Sequence, residues 1–94
     1  METEFIPATT IIRTVAALSM GPSARYELVR ANTDRGQPMR WRLVGYGITG
    51  IRYILATSTE KATPRTKSYS FTATAHGMVE GLALTWTMRP CDME

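Results

Sequence analysis

The clearest alternation of apolar and polar residues lies in residues 39–50, MRWRLVGYGITG. Side chains of a strand point alternately to its two faces. One face would therefore carry the apolar Met39, Trp41 and Leu43, and the other Arg40, Arg42 and Val44. Three glycines between positions 45 and 50 indicate a turn, and the apolar, β-branched run 51–57 predicts a second strand. We expect these two strands to form a hairpin at the centre of the fold.

Two other segments alternate in the same way and are predicted as strands. In residues 25–31, RYELVRA, Tyr26 and Leu28 would point inward while Arg25 and Glu27 point outward. Residues 69–73, YSFTA, form a shorter alternating run. The segments 32–38 and 58–67 are rich in polar and turn-forming residues, and both are predicted as loops.

Residues 9–18, TTIIRTVAAL, fit either a strand or a helix. Most of the first seven residues are β-branched, which favours a strand. Ile11, Val15 and Leu18 would nevertheless share one face of a helix. We predict a strand here, with the helix as the alternative.

The segment 74–88 is also compatible with both structures. Helical spacing relates Ala75, Met78, Val79, Leu82 and Trp86, whereas strand spacing relates Leu82, Leu84, Trp86 and Met88. Gly77 and Gly81 would each cost a helix about 1 kcal/mol relative to alanine. Arg89 and Pro90, on the other hand, are typical of a helix end. Propensity alone slightly favours the strand.

The order of residues 25–88 resembles a small family of bacterial and archaeal domains of unknown function, built from three antiparallel strands followed by a helix. The family's second strand carries a Trp-Arg-Leu type signature, matched here by Arg40, Trp41, Arg42 and Leu43. Tyr26, Leu28, Tyr69 and the segments 54–58 and 73–84 match its other elements. The insertion at 58–67 and the extra N-terminal segment depart from it. The resemblance implies a helix over the last third of the chain and implies no activity.

We therefore predict an α+β fold, with an antiparallel sheet of three to four strands and one C-terminal helix packed on one face. Residues 1–94 would form a single domain, since 94 residues suit one domain and no more. Residues 1–8 are predicted as a loose lead-in and residues 90–94 as a C-terminal tail.

The composition is typical of a globular protein, with 44% hydrophobic and 20% charged residues. No stretch reaches the run of about 18 apolar residues that a membrane helix needs, so no membrane association is expected. The first residues, METEFIPATT, lack the basic start of a secretory signal. The single Cys91 cannot form an internal disulfide. We expect a cytoplasmic protein.

The residue types needed for catalysis and for cofactor binding are sparse. His76 and Cys91 are the only histidine and cysteine, whereas structural zinc takes four such ligands, so no metal is predicted. The letters G-x-G-x-x-G at 45–50 stand between two predicted strands, whereas a dinucleotide site needs them to begin a helix. Carboxylates are too few for an acid and base pair. We predict a protein that is not an enzyme and has no cofactor.

The charge distribution points to a binding surface. Residues 13–67 hold ten basic and three acidic residues, a net charge of +7, in a chain of net charge +3. A basic middle suits a polyanion or an acidic protein surface. The candidate partner-binding residues, which would line three neighbouring strands and their flanks, are Arg25, Arg40, Arg42, Arg52, Tyr46 and Arg35. The alternative is that the arginine stems only cover apolar sheet surface.

In size and habit the chain is similar to the anti-CRISPR and related anti-defence proteins of phages and mobile elements. That likeness implies a non-enzymatic inhibitor, acting in the host cytoplasm, that occludes a surface of a nucleic-acid-handling protein complex. The alternative is a small basic protein that binds nucleic acid directly through its arginines. A third possibility is an oligomerisation module, in which the first strand pairs across an exposed sheet edge. The protein would be a monomer or a homodimer.

Overall fold

The fold is one α-helix followed by a five-stranded antiparallel sheet. The computed structural model describes residues 8–32, 36–74, 76–77 and 85–92. Its elements are helix α1 (Ala8–Met20), strands β1 (Arg25–Ala31), β2 (Arg40–Tyr46), β3 (Arg52–Lys61), β4 (Tyr69–Ala73) and β5 (Thr85–Met88), and a 3₁₀ turn (Pro90–Asp92). The strands lie in the order β1-β2-β3-β4-β5, and every neighbouring pair is antiparallel. The predicted α+β class is confirmed, with five strands instead of three to four.

Residues 9–18 belong to α1, so the predicted strand is wrong and its helical alternative is correct. The predicted helix face is only partly correct, because Leu18 is 48% exposed. Two causes outweigh the β-branched composition. Ile12, Val15 and Ala16 recur at helical spacing and are buried against the sheet. In addition, the hydroxyl of Thr14 donates to the carbonyl of Thr10 one turn earlier, which satisfies a polar group inside the helix. Residues 1–7 of the predicted lead-in lie outside the described residues, and the helix begins at Ala8.

Helix α1 covers one face of the sheet, which we call the helix face. The buried residues of α1 form one cluster with strand residues that include Leu43, Leu55 and Phe71. Trp86 of β5 stacks on Phe71, with ring centroids 5.3 Å apart. The predicted alternation of buried and accessible residues is confirmed for β4. In β2 the predicted outward residues Arg42 and Val44 are buried as well, and in β1 the predicted inward residue Tyr26 is exposed. Helix α1 packs on β1, β2 and β3, and the buried residues of β4 and β5 continue the same cluster.

The helix predicted near the C-terminus is wrong for the residues of β5. Trp86 and Met88 are buried on the helix face while Thr85 and Thr87 are exposed, so the period of two prevails here. The reason is tertiary: β4 offers its backbone groups to β5, with Phe71 opposite Trp86. Ala75 and residues 78–84 of the predicted helix lie outside the described residues. Among the described residues α1 is the only α-helix, and it precedes the five strands in the chain.

The glycine-rich turn predicted between the two central strands is confirmed. The Gly50 amide donates to the Gly47 carbonyl at 2.9 Å, and the Gly47 amide donates to the Ile51 carbonyl at 3.0 Å. Gly50 has a φ of 82°, the left-handed conformation that closes a hairpin of this kind and that glycine adopts without strain. The G-x-G-x-x-G letters therefore serve a hairpin turn.

Strand β3 continues to Lys61, so residues 58–61, which were predicted as loop, belong to the sheet. Its pairing with β2 shifts register between Arg40 and Arg42. Ser58 is buried at this irregularity, where its hydroxyl accepts from the Trp41 amide at 3.0 Å and donates to the Glu60 carbonyl at 2.8 Å. A buried hydroxyl with two partners is stable there, because it occupies backbone groups that the shifted ladder leaves free.

A second turn, at 74–77, fixes the end of β4 against β3 and α1. The Thr74 amide donates to the Leu55 carbonyl at 3.0 Å, and the Gly77 amide donates to the Thr74 carbonyl at 3.0 Å. The Ser19 hydroxyl of α1 donates to the Gly77 carbonyl at 3.2 Å. A Cβ at Gly77 would overlap the Leu55 carbonyl oxygen, so this close approach requires glycine.

Candidate partner-binding site

Three of the predicted site residues meet at one end of the sheet, on the face opposite α1, which we call the far face. Arg25 of β1 and Arg52 of β3 both pair with Tyr46 of β2, one from each side. Paired residues share a face, so the three side chains form a row across three strands. Arg25 and Arg52 are exposed and Tyr46 is half-buried. This part of the predicted site is assembled by the fold.

The row is held together by contacts around Tyr46. Its hydroxyl donates to Glu27 Oε1 at 2.5 Å, and the Arg25 guanidinium carbon lies 6.0 Å from the ring centroid. The hydrogen bond to Glu27 is the main cause that raises the pKa of Tyr46, against the opposing charges of Arg52 and Arg25. Tyr46 is therefore a neutral, oriented donor at pH 7, with a cation on either side.

The other three predicted site residues are not part of this row. Arg40 lies at the opposite end of β2, where its guanidinium donates to the backbone carbonyls of Thr59 and Ser58. Arg42 is only 8% exposed, and among the described residues its Nε has no hydrogen-bond partner. Arg35 lies outside the described residues. Arg40 and Arg42 thus have structural surroundings that the alternation of the sequence does not reveal.

The turn next to the row carries exposed aliphatic residues that the sequence analysis did not single out. Ile48, in the turn between β2 and β3, is fully exposed, and Ile51 is 53% exposed. Arg25, Tyr46, Ile48, Ile51 and Arg52 together are called the hairpin tip below. An isoleucine inside a Gly47–Gly50 hydrogen-bonded turn, where polar residues are usual, was the available signal in the sequence.

Two grooves lie on either side of the turn that carries Ile48. The larger, of about 530 Å³, is lined by the α1–β1 connection together with Arg25, Tyr46 and Ile48. The smaller, of about 430 Å³, is lined by the end of α1 together with Tyr53, His76 and again Ile48. Ile48 therefore lies between two concave surfaces. The hairpin tip thus combines a projecting apolar residue with two grooves and with the charges of its arginines.

The described residues show no arrangement for metal chemistry. Nowhere in that part of the chain do three His, Cys, Asp or Glu side chains come together as metal ligands. His76 is exposed and lies against Tyr53, with ring centroids 5.1 Å apart. Within the same residues, no helix has the length and apolar character that crossing a membrane would take.

No protein-family model, no curated protein and no solved structure matches the chain. The resemblance to the domains of unknown function, and the similarity to anti-defence proteins, therefore stay predictions. Function has to be argued from the hairpin tip itself.

Proposed function

We propose that this protein is a non-enzymatic binding protein that attaches through the hairpin tip to an acidic protein surface containing an apolar pocket. In the wider setting predicted from the sequence, that surface belongs to a nucleic-acid-handling complex in the cytoplasm, and occupying it inhibits the complex. The single observation that carries the proposal is a fully exposed isoleucine beside two exposed arginines and an oriented tyrosine.

The aliphatic residues of the tip support a protein partner. Ile48 buries no part of itself in the fold, so the fold gains nothing from its apolar side chain. Burying a whole isoleucine side chain in a partner's pocket would contribute about 1.5–3 kcal/mol of binding free energy. A phosphate backbone offers no such pocket. Isoleucine at this position therefore favours a protein over a nucleic acid.

The arginines and the tyrosine support an acidic rim on the partner. Arginine and tyrosine are enriched among the residues that dominate binding energy at protein interfaces. Arg25 and Arg52 stand on opposite sides of Tyr46 across three strands, so two carboxylates of the partner can each meet one guanidinium in bidentate fashion. The Tyr46 hydroxyl is already engaged by Glu27, which fixes the ring between them.

Direct nucleic-acid binding is the second candidate, because the same row offers two exposed guanidinium groups beside an aromatic ring. Arginine contacts to phosphates and base stacking on tyrosine are the usual means of binding single strands. This candidate makes a different prediction about salt, since each phosphate contact releases counterions and binding falls steeply as salt rises.

The test compares two variants of the tip with one control. Ile48→Asp removes the aliphatic group, Arg25→Glu with Arg52→Glu reverses the charge, and Thr72→Ala changes an exposed residue elsewhere on the far face. Each purified protein is immobilised and exposed to bacterial lysate, and each is titrated with fluorescent single- and double-stranded DNA and RNA at two salt concentrations. Circular dichroism verifies the fold of every variant.

The protein-binding proposal expects one defined protein, retained by the wild type and by Thr72→Ala and lost from both tip variants. Salt-sensitive oligonucleotide binding that Arg25→Glu with Arg52→Glu abolishes, and Ile48→Asp leaves unchanged, would replace it with the second candidate. Retention of the same proteins by all four baits would remove the hairpin tip as the site.

A further inference from the structure

The two edges of the sheet differ in how well they are protected. β5 has four residues and is followed after one residue by the 3₁₀ turn that begins at Pro90. β1 has seven residues, and all seven pair with β2 without a register shift. Among the described residues β1 has no strand on its other side. Exposed edges are usually short, interrupted by proline or a bulge, or lined with charged residues. β1 has neither proline nor a bulge, and charge, at Arg25, Glu27 and Arg30, is the one feature of this kind that it carries.

A second copy of this chain can pair with β1 only in a few registers. Antiparallel pairing of identical strands places a two-fold axis perpendicular to the sheet, so one residue lies opposite its own copy. An axis at Glu27 places two carboxylates opposite each other, which is unfavourable. Axes at Tyr26 or Val29 leave part of each strand unpaired. Only an axis at Leu28 pairs all seven residues of β1 with the seven of its copy.

The side chains are complementary in the register centred on Leu28. On the helix face, Leu28 meets its copy, and Tyr26 lies opposite Arg30 on both sides of the axis. Tyr26 is exposed at the edge and Leu28 is partly buried against the core, so pairing covers apolar surface that the single chain leaves in water. Arg30 already lies 5.7 Å from the centroid of the Trp41 ring. Its planar guanidinium group can stack on a second aromatic ring from the other side.

We propose that β1 is a homodimer interface, at which two chains join edge to edge through Arg25–Ala31, with Leu28 on the two-fold axis, into one ten-stranded sheet. No charged residue then lies opposite a residue of like charge: Arg25 faces Ala31 and Glu27 faces Val29 of the second copy. Arg25 belongs to both the interface and the hairpin tip, whereas Tyr46, Ile48 and Arg52 lie outside β1, so the dimer is a bivalent form of the proposed binding protein. The interface itself does not depend on the proposed function.

Cysteine crosslinking tests both the dimer and its register. In a Cys91→Ser background, Tyr26→Cys, Glu27→Cys and Leu28→Cys are made one at a time, oxidised, and analysed on non-reducing gels. Directly opposite residues have Cα atoms about 4.5–5.5 Å apart, within disulfide range. The copies of residue 27 would lie about 8 Å apart, beyond that range, and those of residue 26 farther still. Sedimentation equilibrium of the wild type measures its mass.

The proposal expects the wild type to reach twice its chain mass of 10.5 kDa as concentration rises, and Leu28→Cys alone to crosslink efficiently. If Leu28→Cys does not fold, a mixture of Tyr26→Cys and Arg30→Cys chains replaces it, and crosslinked heterodimer is expected. A monomer at every concentration overturns the proposal, as does preferential crosslinking at Tyr26 or Glu27. Ile48 lies outside this interface, so Ile48→Asp is expected to leave the mass unchanged. The dimer proposal and the partner-binding proposal can therefore fail separately.

Discussion

The two faces of the sheet are built from alternate residues of the same strands, yet they differ in chemical character. The helix face carries large apolar side chains such as Leu43 and Phe71, which are buried in the cluster that includes α1. The far face carries arginine, tyrosine and threonine, including a row in which Arg42, Thr57, Thr72 and Thr85 are paired in succession. The comparison teaches that one strand sequence can supply apolar core residues at alternate positions and polar or charged residues at the others.

The difference between the faces is not complete, because the far face has a buried centre. Val44 is fully buried and Arg42 is nearly so, although both side chains lie on the face that α1 does not cover. The face becomes accessible toward the turn, at Arg25, Tyr46 and Arg52, and toward β4 and β5, at Thr72 and Thr85. Stability and accessibility are therefore distributed along each strand as well as between its faces, and the predictions below test that distribution.

Truncating the helix face is expected to have the largest effect. Leu43→Ala removes a side chain that is fully buried between α1 and the sheet, and such changes cost about 2–5 kcal/mol of unfolding free energy. Urea denaturation measures the loss. Ile48→Ala is the control and should stay within about 0.5 kcal/mol of the wild type. Equal costs for the two variants would contradict the assignment of the core to the helix face.

The buried centre of the far face is expected to rank second. Val44→Ala should cost about 1.5–3 kcal/mol, because the valine side chain is fully buried although no described helix covers it. Its control is Thr72→Ala, an exposed residue of the same face, with an expected change within about 0.5 kcal/mol. If Val44→Ala is as mild as Thr72→Ala in urea denaturation, the far face contributes to recognition only.

The close approach at the turn 74–77 is expected to follow. In Gly77→Ala the new Cβ would overlap the Leu55 carbonyl oxygen, and the backbone shift that relieves it should cost about 1–3 kcal/mol. Gly47→Ala is a matched control, since its Cβ would lie 3.5 Å from Met20 and Tyr53 atoms, an ordinary contact. Thermal unfolding measures both variants. A Gly77→Ala protein as stable as Gly47→Ala would show that this turn does not bind tightly to β3.

The smallest effect concerns acid stability at the β3–β4 connection. The Ser70 amide donates to Glu60 Oε2 at 2.6 Å, and this hydrogen bond is the main cause that lowers the pKa of Glu60 below its ordinary value of 4.5. A lowered pKa in the folded state stabilises the fold above pH 4.5, and this stabilisation is lost as pH falls through the folded-state pKa.

Glu60→Gln should therefore make the free energy of unfolding depend less on pH in the acid range. The measurement is the urea midpoint of each protein, taken at a series of pH values from neutral to acid. The variant should be less stable than the wild type at neutral pH, and the difference should shrink on acidification. A difference that is independent of pH would mean that the amide of Ser70 binds the side chain without preference for the carboxylate.

Local patterns were sufficient to predict much of the sheet. Alternation and turn residues predicted β1, the hairpin of β2 with β3, its glycine turn and β4, because these depend on neighbours in the chain and on one buried face. They also brought Arg25, Tyr46 and Arg52 into one candidate site. The same patterns predicted Arg42 as accessible, although its neighbours in the sheet bury it.

Two segments had patterns that fit more than one structure, and tertiary contacts chose between them. Residues 9–18 became a helix because the sheet offers an apolar face for Ile12 and Val15, and Thr85–Met88 became a strand because β4 supplies the backbone partners. Neither the face nor the partner lies within the segment concerned.

The sequence by itself determined the α+β class, the antiparallel hairpins and the basic character of the sheet. The tertiary structure alone decided where the helix lies, which arginines reach solvent and which edge of the sheet is left regular and open. The physical reason is that alternation reports on one strand and its two faces, whereas burial, edge position and close approach depend on residues distant in the chain.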